Sequence, residues 1–138
     1  MSILALDVGE RRIGLAVSDP SETFSLPLEV LERTAIREDV HHIVAIATER
    51  GAEVIVVGDP VRLGGERGLA SEKIDRFVAE LQRAWKGRIE RVDERLTTAQ
   101  ATRSLIAADV SRKKRKAVVD KLAAALILDT YLARRSRE

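Results

Sequence analysis

The stretch Leu4–Asp19, LALDVGERRIGLAVSD, constrains the fold of this chain more than any other. An apolar run ends at a lone carboxylate, Asp7, crosses a short polar turn, and resumes as a second apolar-rich run ending at Ser18-Asp19. This pattern predicts a β-hairpin with an acid where its first strand stops, and Gly9 and Gly14 are expected to let the turn bend tightly. Burying a carboxylate among apolar groups is costly unless it is paired, hydrogen-bonded or bound to a metal. Asp7 is flanked by Leu4, Leu6 and Val8, so it is read as a metal ligand.

The chain beyond the hairpin alternates strand and helix signals. Phe24 to Leu31 reads as a third antiparallel strand, with Pro27 suggesting an edge. Ile36, Val40, Ile43, Val44 and Ala47 recur at helical spacing over 35–50, and Gly51 follows as a stop. Glu53 to Gly58 is a continuous β-branched run of the kind found in parallel strands covered on both faces. A glycine-rich loop over 59–68 leads into a helix over 71–85, with Ile74, Phe77, Val78, Leu81 and Trp85 on one face. Residues 89–94 form a short outer strand. Thr97 and Gln100 make a capping box for a helix to about residue 108. A basic loop and a last helix over 117–135 complete an α/β layer whose mixed sheet is antiparallel first and parallel later.

Composition limits the classes of function. At 138 residues the chain fits one domain, residues 1–138. No apolar run nears the roughly 18 residues needed to span a bilayer, and the N-terminus has no basic region leading into a long apolar one. The expectation is a cytoplasmic protein without a membrane partner. With no cysteine, disulfides and thiolate metal sites are excluded, leaving carboxylates or His41 and His42 as ligands. The net charge is only +2, but Arg112, Lys113, Lys114, Arg115 and Lys116 form an unbroken cationic run, suited to a polyanion.

Acids fall at predicted element ends: Asp7, Asp59, Asp93-Glu94 and Asp120. Several carboxylates meeting at one sheet edge would bind Mg²⁺ or Mn²⁺, which prefer oxygen ligands. Neighbours in a strand point to opposite faces, so only one of Asp93 and Glu94 can join such a site. Asp129, nine residues after Asp120 in a helix of about 100° per residue, falls on the opposite side from it. The adjacent His41 and His42 diverge on their helix and are poor joint ligands. Arg11, Arg12, Arg62, Arg67 and Arg95 recur beside the acids, where guanidinium groups could hold substrate phosphates. Aromatic residues are few, which favours backbone-directed recognition of structured nucleic acid over base stacking.

Taken together, these residues resemble the YqgF/RuvX family, proteins described as Holliday-junction-resolvase-like or as pre-16S rRNA nucleases. Its opening motif is met by Asp7, Gly9, Arg12, Ile13, Gly14, Ala16, Ser18 and Asp19. Val57, Gly58, Pro60, Gly65 and Gly68 match a second motif, and Asp93, Glu94, Arg95, Thr97 and Thr98 a third. Asp120, Ala123, Ala124, Ile127 and Leu128 match the last. The resemblance implies a ribonuclease H-like fold with a mixed five-stranded sheet. It further implies a metal-dependent nuclease whose acidic triad, both catalytic and metal-binding, is Asp7, Glu94 and Asp120.

The implied cofactor is Mg²⁺ or Mn²⁺. The implied substrate is precursor rRNA or branched DNA, contacted by Arg12, Arg62, Arg67, Arg95 and the 112–116 run, with the protein acting as monomer or homodimer. Two positions depart from the family's pattern, with Asp59 in place of the usual Leu and Asp129 where Gln is common. Asp59 could be a fourth ligand or a solvated acid. The competing readings are a non-catalytic nucleic-acid-binding module, against which the retained acids weigh, and an actin-like ATPase, for which the chain is too short.

Overall fold

A computed structural model describes residues 2–59, 69–93 and 112–136, and the side chains of 2–59, 72–93 and 122–135. Among the described residues, five strands and three helices follow one another as β1 (Ser2–Val8), β2 (Arg12–Ser18), β3 (Ser25–Glu32), α1 (Ile36–Glu49), β4 (Ala52–Asp59), α2 (Leu69–Ala84), β5 (Arg88–Asp93) and α3 (Arg112–Ser136). The strands form one sheet in the order β3-β2-β1-β4-β5. β1 pairs antiparallel with β2 and parallel with β4, and β4 pairs parallel with β5. The antiparallel opening and parallel continuation agree with the pattern read from the hairpin and the β-branched run.

Helices cover both faces. One core packs Leu4, Leu6, Ile13, Leu15, Ile55 and Val57 of the sheet against Val40 and Ile43 of α1 and Phe77 and Leu81 of α2. The other packs Ile3, Ala5, Ala16, Val54, Val56 and Val92 against Ala124, Ile127, Leu128 and Tyr131 of α3. Successive strand residues alternate between these cores, as the pleat requires. β1 is therefore apolar without alternation because both of its faces are dry, with Ile3 to Leu6 at 0% exposure. Alanines on the α3 side, Ala5 and Ala16 against Ala124, let that helix lie close to the sheet. Buried Ser18 is satisfied at the start of β1, where its Oγ accepts the Ile3 N–H at 2.8 Å.

Local chemistry sets the boundaries. α1 begins after Ala35, whose backbone is extended, and its last turn ends at Arg50, followed by Gly51 at φ 67°. That left-handed position suits glycine, as the stop signal implied. Two expectations are corrected. Gly14 lies within β2 rather than in the turn, since the closing hydrogen bond runs from Gly9 N–H to the Arg12 carbonyl at 2.8 Å. The 112–116 run, expected as a loop, is helical from Arg112. Lys and Arg are good helix formers, and here that propensity outweighs the unfavourable placing of cations at a helix N-terminus. The capping box and helix expected over 97–108 lie outside the described residues. Among those described, no helix is long and apolar enough to cross a membrane.

The β2–β3 connection is organised by one carboxylate. Asp19 Oδ1 accepts the N–H groups of Phe24 at 2.7 Å and Thr23 at 2.8 Å, while Oδ2 accepts from the Ser21 N–H and hydroxyl. These bonds, led by that from Phe24, hold the Asp19 carboxyl down to about 2 from an ordinary 3.8. A depressed carboxyl stabilises the fold above its unfolded pKa and loses that contribution as the pH falls through the folded one. Asp19→Ala should therefore lower the melting temperature at pH 7. Thermal melts taken from pH 4 down toward pH 2 should show the gap to the parent protein closing.

Candidate active site

The carboxyl ends of the three parallel strands β1, β4 and β5 lie at one end of the sheet, and each carries an acid: Asp7, Asp59 and Asp93. In open α/β sheets ligands bind in the crevice outside these ends. Strand alternation then sorts the acids by face. Asp7 continues the series Ile3, Ala5 and so faces the α3 side. It is only 5% exposed. Its partner across the hairpin is Gly14, so β2 places no side chain beside it. On β4, Gly58 pairs with Val92 of the α3-side core, which leaves a second glycine on the same face.

Asp59 and Asp93 are register partners on the opposite face, the side covered by α1 and α2. Asp59 is buried and forms an ion pair with Arg91, Nη2 to Oδ2 at 3.0 Å, whose angle lies outside hydrogen-bond geometry. The same guanidinium donates from Nη1 to Asp75 Oδ1 of α2 at 2.6 Å. Arg91 thus ties β4 and β5 to α2. This geometry removes Asp59 from the Asp7 face, and it removes Asp93 from it as well.

The remaining predicted site residues divide by position. Glu94, Arg62, Arg67 and Arg95 lie outside the described residues. Asp120 is in α3, four residues before Ala124 and seven before Ile127, on the helical spacing of the residues that pack on the sheet, and its side chain is not among those described. The backbone of 112–116 forms the first turns of the same helix. Arg12 is on the Asp7 face, two residues from Gly14, and its Nε donates to Glu32 Oε1 at 3.1 Å. Asp129 points away toward β3, where Ser25 Oγ donates to its Oδ1 at 2.6 Å. His41 and His42 are exposed on α1, in the layer across the sheet from α3. Among the described residues no group of three His, Asp or Glu side chains converges, and Asp7 is the member of the expected triad whose side chain is described.

Hard divalent cations take oxygen donors, and a buried carboxylate at the carboxyl end of a strand has the chemistry for one. The sequence profile of the RuvX family, described as Holliday junction resolvase, matches residues 1–134. The chain belongs to the RuvX family. A family member from Halalkalibacterium halodurans is 46% identical over 136 residues, covering 97% of each chain. One from Desulforudis audaxviator is 42% identical over 132 residues, covering 96% of this chain and 94% of the relative. Both are named "Putative pre-16S rRNA nuclease". Among solved structures, Thermus thermophilus RuvC in complex with a Holliday junction substrate superposes with a TM-score of 0.63 at 14% identity, over 99% of this chain and 96% of that one. The fowlpox virus Holliday junction resolvase gives 0.55 at 13% identity, over 97% and 99%. The fold is ribonuclease H-like.

One group near the site escaped the sequence reading. Arg33 Nη1 donates to the Gly9 carbonyl at 3.0 Å and its Nε contacts Asp39 Oδ2 at 3.3 Å. A signal for it existed: Asp39 sits four and seven residues before Ile43 and Ile46, so the acid occupies the buried stripe of α1. For Asp59, the geometry predicts a structural role. Asp59→Ala should lower the unfolding free energy by about 1–3 kcal/mol, as expected for breaking a partly buried ion pair. Urea denaturation would measure that loss, and nuclease activity should persist in the folded variant.

Proposed function

We propose that this RuvX-family protein is a divalent-metal-dependent nuclease that hydrolyses phosphodiester bonds of structured nucleic acid, in 16S rRNA 5′-end maturation or at four-way junctions. The observation that carries this reading is Asp7: a buried carboxylate at the carboxyl end of the central strand, facing α3 between positions held by glycines. Mg²⁺ or Mn²⁺ would be held by Asp7, Glu94 and Asp120, a donor set composed only of carboxylates. When bound, such ions activate a water and stabilise the leaving oxygen. The family's motif chooses Glu94 over its neighbour, and the placing of Asp93 on the α2 face by the pleat supports that choice.

The chain's own residues then have separable tasks. Asp7 supplies negative charge where little water competes, which strengthens its hold on a cation. Gly14 and Gly58 keep the face beside it low, so that a nucleic-acid backbone can approach. The cationic first turns of α3, together with Arg62, Arg67 and Arg95, would neutralise substrate phosphates, and binding should weaken as salt rises. Arg12 is tied to Glu32 and is assigned to shaping the hairpin as much as to phosphate contact. Phe77 and Tyr131 are buried in the two cores and Trp85 is partly buried, while Phe24 is exposed. A single exposed phenylalanine among the described residues supports recognition through the backbone over extended base stacking. Such a nuclease would act in the cytoplasm, where precursor rRNA and chromosomal junctions are found.

A four-way junction has two-fold symmetry, so a junction resolvase should present two sites as a homodimer, whereas an rRNA-processing enzyme can act as a monomer. The deciding assay compares a four-way junction with a precursor rRNA fragment, each with Mg²⁺ and with Mn²⁺. Wild-type protein should cleave one of them, and Asp7→Asn should reduce cleavage to background while retaining its circular dichroism spectrum. Undiminished cleavage by Asp7→Asn would overturn the site. Tight binding by the wild type without cleavage under either metal would leave a non-catalytic binding module instead.

A further inference from the structure

The turn that follows Asp7 is held from outside the hairpin. Gly9 N–H donates to the Arg12 carbonyl at 2.8 Å, and a Cβ at Gly9 would lie 2.9 Å from that oxygen, so the close approach requires glycine. Two more bonds reach this turn, both from Arg33. Its backbone N–H donates to the Arg11 carbonyl at 2.8 Å, and its Nη1 donates to the Gly9 carbonyl at 3.0 Å. One residue thus grips the turn at both ends.

The grip is itself anchored. Asp39, 5% exposed, contacts Arg33 Nε at 3.3 Å through Oδ2 and accepts the Thr34 N–H and hydroxyl at 3.0 Å each through Oδ1. The guanidinium also stands over the buried Phe77 ring of α2, 5.5 Å from its centroid. A planar group fixed by an ion pair and a ring on one side keeps little rotamer freedom, so its hydrogen bond to Gly9 is preorganised. Asp39, Arg33 and Gly9 form a continuous strut from α1 to the residue two places beyond Asp7.

We propose that Arg33 is a positioning residue that sets the Asp7 carboxylate for metal binding by fixing the Gly9–Arg12 turn. The inference rests on the reading of Asp7 as a metal ligand. The alternative role, direct contact with substrate phosphate, is suggested by Arg11 and Lys73, which line the same surface groove. It fits Arg33 poorly, because the side chain is only 19% exposed and its guanidinium is already committed to Asp39, Gly9 and Phe77.

The test compares Arg33→Gln, Arg33→Lys and Asp7→Asn with the wild type, each checked for folding by circular dichroism. Mn²⁺ binding is read by electron paramagnetic resonance without substrate, amide exchange at Gly9 is read without metal, and cleavage kinetics are read last. Arg33→Gln should weaken Mn²⁺ binding by about tenfold, the scale seen when groups supporting a metal ligand are removed. It should also speed exchange of the Gly9 amide and lower kcat with KM for nucleic acid unchanged, and Arg33→Lys should recover part of each.

Wild-type Mn²⁺ affinity and Gly9 exchange in a folded Arg33→Gln would overturn the proposal, and so would a change in KM alone. If Arg33→Gln does not fold, Arg33→Lys is judged by the same measurements, with a smaller loss expected. Loss of Mn²⁺ by Asp7→Asn with none in the Arg33 variants would remove only the positioning role. Retention of Mn²⁺ by Asp7→Asn would remove the metal-ligand reading and the positioning role with it.

Discussion

Burial of β1 on both faces is the constraint on which the rest of the molecule depends. Ile3 to Leu6 are wholly inaccessible because α1 and α2 cover one side of the sheet and α3 covers the other. A strand so enclosed carries its acid at the carboxyl terminus, where Asp7 stands and is itself only 5% exposed. The same enclosure dictates the neighbours. Large side chains fill the α1 and α2 side, whereas the α3 side combines Ile3, Val54 and Val56 with the small Ala5, Ala16 and Gly14, which let the last helix and the acid share one face. Fold and site are therefore two consequences of the same packing.

Charge is distributed by that sheet rather than by sequence order. Asp7 and Asp59 both end parallel strands, yet one pleat separates their environments. Asp7 faces the helix that carries Asp120, while Asp59 faces Arg91 and α2. The hairpin end of the site is stabilised by a second group of charges, Arg33 and Asp39, which lie on neither the strand nor the helix that carry the proposed ligands. Farther along, Glu22 accepts from Arg135 at 2.7 Å and Asp129 accepts from Ser25, so the carboxyl end of α3 is tied to the β2–β3 connection. The helix is thus pinned at the end remote from Asp120.

Much of this was legible in the chain. The hairpin, the buried run 53–58, the apolar faces of α1 and α2 and the stop at Gly51 follow from periodicity and turn chemistry, because those signals are local. So does the exclusion of thiolate ligands, and of Asp129 as a partner of Asp120, which helical geometry alone requires. The basic run reads as a loop in the sequence because five adjacent cations resemble a solvated segment, whereas helix propensity carries α3 back to Arg112. The place of Gly14 in β2 is not legible in the sequence, because a glycine between apolar residues does not announce which side of the turn it occupies.

By itself the sequence determined which residues could carry chemistry: a lone acid after an apolar strand, acids at later element ends, and cations beside them. Only the tertiary structure decided which of these share a face. The parity of Asp59 depends on the register of β4 against β1, and its partner Arg91 comes from a strand more than thirty residues later. The clamp from Asp39 through Arg33 to Gly9 spans three segments, so the buried position of Asp39 on α1 was legible as local spacing but its connection through Arg33 to Gly9 was not. Asp7 was visible as an anomaly in LALDVG, and its place opposite Gly14, facing α3, is a property of the assembled sheet.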